Sequence, residues 1–161
     1  MQQQYYFTEK GYDKLRQEID KLEKYLKNDI AKEIGVAREH GDLRENAEYE
    51  AAKEKQAKYM GKLGQLQERF MNARVIRRQD LPEDTVTLGK IVRIKDLDND
   101  EEDEYTILGD GETDLDKGII SYQSPIAKGL INHKKDDKVE VFLPRGVKKY
   151  QILSIEFWNE E

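Results

Sequence analysis

Apolar residues recur along the first half of the chain at Tyr12, Leu15, Ile19, Leu22, Leu26, Ile30, Ile34 and Ala37. Steps of three and four predict an α-helix with one apolar stripe. Thr8 followed by Glu9 is a fitting start, a hydroxyl to cap free amides and an acid in the first turn. A second run reads Tyr49, Ala52, Gln56, Tyr59, Leu63, Leu66, Phe70 and Ala73, with Gln56 its one polar member. If the chain folds back near Leu43, Ala37 meets Tyr49, Ile34 meets Ala52, Ile30 meets Gln56, and Leu26, Leu22, Ile19 and Leu15 meet Tyr59, Leu63, Leu66 and Phe70. Such a match predicts an antiparallel helical hairpin, an arm about 40 Å long. The later steps of the first run are mostly fours, which predicts a drift toward an eleven-residue period near the tip.

Past Ala73 the pattern changes. Val75–Thr85 holds Arg77, Arg78 and Pro82 and reads as a boundary, and short β-like runs follow at Lys90–Ile94, Tyr105–Leu108, Ile119–Tyr122, Val139–Leu143 and Tyr150–Phe157. Pro125 after Ser124 predicts a helix of one or two turns through Leu130. The expected fold is α+β: an N-terminal antiparallel coiled-coil hairpin over 1–76, a linker over 77–84, and a small antiparallel sheet domain with one short helix over 85–161.

Composition supports an extended part beside a small globular one, since 39% of the 161 residues are charged and 37% apolar. Net charge is −6, but the first half leans basic and the second acidic, which suggests different contacts for each. The absence of cysteine excludes disulfides and thiolate chemistry. The opening residues have no secretory pattern, and no run approaches a membrane span. A soluble cytoplasmic protein with no membrane partner is expected. The outer faces of both helices carry Lys and Glu rather than a second apolar stripe, so a monomer is expected.

Between the helical runs lies Gly41-Asp42-Leu43-Arg44-Glu45. Asp42 three residues before Glu45 fits a helix-starting box, in which the first side chain caps an amide and the second reaches back. The same two carboxylates could instead offer oxygens to a hard cation such as Mg²⁺, but two alone hold it weakly, so a partner would have to complete the shell. Spacing alone leaves both readings open. Asp96–Asp100 and Asp110–Asp114 begin like calcium loops but lack the required glycine and terminal acid, and read as solvated hairpin loops.

The run Ala37–Tyr49 together with Ala51-Ala52-Lys53-Glu54 resembles the tip of bacterial transcript cleavage factors of the Gre family, closer to the GreA branch than to GreB. Thr8–Leu15, Ile107–Asp110, Ser124–Leu130 and Pro144-Arg145-Gly146 match the same family in order. The resemblance implies an FKBP-like second domain and a protein that is no enzyme by itself. Its coiled coil would enter the secondary channel of RNA polymerase and stimulate the polymerase's own cleavage of backtracked transcripts. Asp42 and Glu45 would be the catalytic acids, helping to hold the second Mg²⁺ and the attacking water. Arg38, Arg44, Lys53, Lys55, Lys58 and Lys62 are candidates for contact with the nascent RNA 3′ end, with ion pairing along the helix as the competing reading. Arg44 departs from the family's common Ser or Lys. Ser124 and Pro125 fall in the segment that docks at the channel rim. Two other functions remain: a channel-binding regulator that blocks without cleaving, and a helical arm that grips RNA or a client protein.

Overall fold

The computed structural model describes residues 3–39 and 43–159, with the side chains of 43–46 outside the description. The chain divides into two compact units, Asp13–Asn72 and a second made of Gln3–Tyr12 with Ala73–Glu161. The opening residues thus belong with the sheet rather than the arm, because β1 (Tyr5–Phe7) pairs in parallel with β2 (Ala73–Val75). Three-residue strands carry no periodic signal, and the charge and helix patterns around them hide the pairing.

In the helical unit, α1 (Glu9–Lys24) continues through a π-helical turn (Tyr25–Ile30) into α2 (Ala31–Glu39), and α3 (Leu43–Met71) returns. Leu15, Ile19, Ile30, Ala37 and Ala52 are buried, and the other arm seam positions named above are half-buried. Tyr25 meets Tyr59 edge to face at 5.4 Å, while Gln67 donates to Glu23 at 3.2 Å across the hairpin. The π turn is the answer to the run of fours. At about 100° per residue each step of four swings the stripe about 40° round an α-helix. A π turn advances fewer degrees per residue, so Leu26, Ile30 and Ile34 return to the seam. The mismatch is taken up in one local turn rather than spread along a relaxed supercoil.

The second unit is a five-stranded sheet in the order β5-β4-β3-β7-β6, formed by β3 (Lys90–Asp96), β4 (Glu102–Leu108), β5 (Ile119–Ser121), β6 (Lys138–Leu143) and β7 (Gly146–Phe157). All its pairs are antiparallel except β5, which runs parallel to β4. The helix α4 (Pro125–Leu130) covers one face, with Ala127 and Leu130 in a core that includes Val92, Ile94, Ile107, Val141 and Ile152. Strict alternation along β7 fails at one place. The register against β3 shifts between Arg93 and Ile94, so Arg93 faces Ser154 while Ile94 faces Ile152. This bulge lets both Ile152 and Ile155 pack against the core despite their odd spacing.

Glu112 corrects the solvated-loop reading of 110–114. Its carboxylate accepts from the Thr8 hydroxyl and from the Gly109 amide at 3.0 Å, and Thr8 Oγ1 in turn accepts from Gly11 N at 3.0 Å. The start of α1 is therefore capped by its own threonine, with a distant acid behind it. The other acidic loop is a turn built on Asp96, which is buried and accepts from Asp98 N at 2.9 Å and from Lys148 Nζ at 2.9 Å. These donors, Lys148 first, hold the Asp96 carboxyl below its ordinary value. Since the folded value lies below the unfolded one, the stabilisation is present above the ordinary carboxylate range, about pH 4, and fades as pH falls through the folded value. Asp96→Asn should therefore lower the urea midpoint at pH 7, and the gap from wild type should close under acid. Denaturation series at both pH values check this.

Candidate functional site

The first helix of the hairpin ends at Glu39 and the second begins at Leu43, which agrees with the predicted fold-back. Asp42, like His40 and Gly41, lies outside the described residues, and of Arg44 and Glu45 only the helical backbone of α3 is described. The backbone of Glu45 therefore belongs to the first turn of α3. Arg38 is exposed in the last turn of α2. Lys53 is exposed and its ammonium reaches Gln56 Oε1 at 3.3 Å.

The basic residues of α3 do not form one equivalent row. Lys55 turns across the hairpin, pairing with Glu33 at 3.1 Å and lying 5.6 Å from the Tyr25 ring centre. Tyr25 and Glu33 raise the Lys55 ammonium above its ordinary value, so it stays charged. In this conformation Lys55 links the two helices, whereas Lys58 and Lys62 are exposed. A shallow apolar groove of about 540 Å³ lies beside Lys55, with Val36 half exposed and Ala51 and Ala52 in its wall.

In the sheet unit, Ser124 caps α4, its Oγ accepting from Ala127 N at 3.3 Å. That role alone is worth about 1 kcal/mol of stability. Pro125 is exposed at the first helical position. It borders a groove of about 530 Å³ between α4 and β6, shared with Lys128, His133, Glu140 and Phe142. Phe142 is 71% exposed and pairs across the hairpin with Val147, 52% exposed. The close approach of α4 to β6 depends on Gly129, where a Cβ would stand 2.7 Å from Val141 Cγ2. Alternation along β6 could have placed Phe142 outward, but only the fold brings it beside Pro125.

Two family models account for almost the whole chain: the transcription elongation factor N-terminal domain over residues 5–75 and the GreA/GreB C-terminal domain over residues 81–157. The chain belongs to the GreA/GreB family of transcription elongation factors. A GreA of Nautilia profundicola is 46% identical over 148 residues, spanning 92% of this chain and 91% of its own. A Helicobacter pylori GreA is 46% identical over 145 residues, 90% of this chain and 88% of its own. Among solved structures, GreA factor homolog 1 of Thermus thermophilus aligns over 96% of this chain and 99% of its own, at 22% identity and TM-score 0.45.

Between the two helices the sequence carries two carboxylates, Asp42 and Glu45. Hard oxygen ligands of this kind suit Mg²⁺ and are too few to enclose it. Among the described residues no group of three or more acidic or histidine side chains converges on a point that could hold a metal. No helix among them is long and apolar enough to cross a membrane.

Proposed function

We propose that this Gre-family factor lends Asp42 and Glu45 to the active site of RNA polymerase and so stimulates cleavage of backtracked transcripts. The observation that carries the reading is the Asp42-Leu43-Arg44-Glu45 sequence at the end of a hairpin that ends one helix at Glu39 and starts the next at Leu43. A two-helix arm buries little beyond its seam, so its length serves to carry its tip rather than to build a core. The arm would enter the secondary channel and meet the RNA 3′ end.

Asp42 and Glu45 would supply carboxylate oxygens to one side of a Mg²⁺ otherwise held by the polymerase and RNA phosphates. When bound, such an ion makes its water a stronger nucleophile and stabilises charge on the reacting oxygens. The acids would also accept hydrogen bonds from the attacking water and orient it. Capping of α3 by these acids would be compatible with this role, because a helix-starting box keeps both side chains at the helix end. Arg38, Lys53 and Lys58 would hold the extruded RNA by its phosphates, while Lys55 keeps the two helices together. In this reading the chain acts as a cofactor protein for the polymerase's own cleavage, and the Lys- and Glu-rich outer faces of its helices fit a monomer.

Docking would use the groove beside Pro125, with Phe142 as its apolar anchor. An exposed phenylalanine next to a rigid proline has the composition of a binding centre, and its truncation removes contact without disturbing the core. Phe142→Ala should weaken polymerase binding about tenfold, roughly 1.4 kcal/mol, and leave the melting curve unchanged. Competition binding on core polymerase checks this.

The test of the whole reading is addition of the protein to purified, backtracked elongation complexes with Mg²⁺. Release of short 3′ RNA fragments supports it. Binding with no release points to a blocking regulator, and RNA binding without polymerase binding points to a gripping arm.

A further inference from the structure

We propose that a cavity in the sheet unit, between Arg77, Arg78 and Trp158, binds a nucleoside monophosphate. The cavity holds about 320 Å³, at the lower end of the range for small-ligand sites, about 300–1,000 Å³. Its wall combines apolar and aromatic side chains, Leu81, Leu88, Phe157 and Trp158, with the two arginines at its rim. A flat ring suits the first set, and a phosphate suits the forked guanidinium groups of the second.

The charges around Phe157 favour an anion. Arg78 lies over the Phe157 ring at 4.6 Å and donates to the neutral amide oxygen of Asn159 at 3.3 Å. Lys90 is fully buried, its ammonium 3.8 Å from the same ring centre. It stands behind that ring rather than in the cavity's wall, donates to the main-chain carbonyls of Pro82 and Glu83, and is also drawn on by the Asp84 and Glu83 carboxylates. Burial lowers the affinity of Lys90 for its proton, and an anion nearby would restore it. Arg77 pairs with Glu9 at 3.2 Å, and both partners are more than half exposed. An exposed pair of this kind exchanges readily for a ligand phosphate.

The protein has one tryptophan, Trp158, so its indole N–H signal in a proton–nitrogen correlation spectrum reports on this cavity alone. AMP and GMP are titrated into the full chain, with inorganic phosphate, ribose 5-phosphate and adenosine as separate arms. A saturable shift of the indole signal is expected below about 1 mM nucleotide, with phosphate, ribose 5-phosphate and adenosine each at least tenfold weaker. Arg78→Ala should weaken nucleotide binding at least tenfold, with the remaining spectrum showing an intact fold. Arg78→Lys should recover only part, since a point charge replaces a fork. No saturable shift overturns the proposal. So does an equal response to inorganic phosphate, or a nucleotide response that Arg78→Ala leaves unchanged. Transcript cleavage does not enter the readout, so this result and the test of the tip acids stand or fall separately.

Discussion

In a stalled, backtracked elongation complex, Asp42→Asn is expected to reduce Mg²⁺-dependent RNA cleavage by about a hundredfold or more, the scale lost when one preorganised electrostatic group is removed from a reaction site. Asparagine caps a helix about as well as aspartate, so the hairpin should form and polymerase binding should stay near the wild-type level. The variant removes one negative charge and keeps the shape. A metal-holding role depends on that charge, because a neutral amide is a far weaker ligand for a hard divalent ion. Raising Mg²⁺ should recover part of the lost rate if the carboxylate acts through the ion. Glu45→Gln should behave in the same direction. Cleavage at the wild-type rate by Asp42→Asn would reduce both acids to capping residues and leave the arm as a plug.

The largest expected change in stability comes from Gly109→Ala. A Cβ at this position would stand 2.5 Å from the Tyr6 carbonyl oxygen and 3.0 Å from Glu112 Oε2. The main chain of β1 cannot yield as a flexible side chain would, and the displaced carboxylate would leave Thr8 and the Gly109 amide without their acceptor. Overpacking of this kind costs about 2–3 kcal/mol. The substitution should lower the denaturation midpoint of the sheet unit and loosen the first turn of α1, visible as faster amide exchange at Gly11. The same change at Gly64, an exposed position of α3 with open space around it, should instead raise stability by about 0.5–1 kcal/mol. Opposite signs for one chemical change would show that contact with β1 and Glu112, not glycine's flexibility, decides the outcome.

The contrast between Gly64 and Gly109 also marks where sequence is informative. The arm is legible because a two-helix seam repeats its signal every three or four residues, and each half predicts its partner. The strands of the sheet are legible for the same reason, at a period of two. Glu112 is not, since 104 residues separate it from Thr8 and nothing local marks it as a capping acid. The bulge in β7 is hidden because Ile152, Leu153 and Ile155 are all apolar, so the pattern cannot say which of them turns outward. Lys90 occupies an inward position of β3 along with Val92 and Ile94, a signal that was present and easily overridden by its charge. At the tip, Asp42 and Glu45 stand out as a motif, yet a capping box and a metal pair share the same spacing. Periodicity does not separate the two readings, and cleavage by the Asp42→Asn variant does.

The π turn at Tyr25–Ile30 holds one residue more than an α-helical turn would. Lys27, Asn28 and Asp29 are exposed within it, and many residues would serve in their places. Removing any one of them would let the segment close into an ordinary α-helix. The lost residue and the recovered twist would cancel, so Ile34 and Ala37 would stay at the seam. The same deletion in α3, which is α-helical throughout Leu43–Met71, would turn all that follows by about 100° and shift it by about 1.5 Å. The turn is a slack link in the arm, tolerant of substitution and of the loss of one residue.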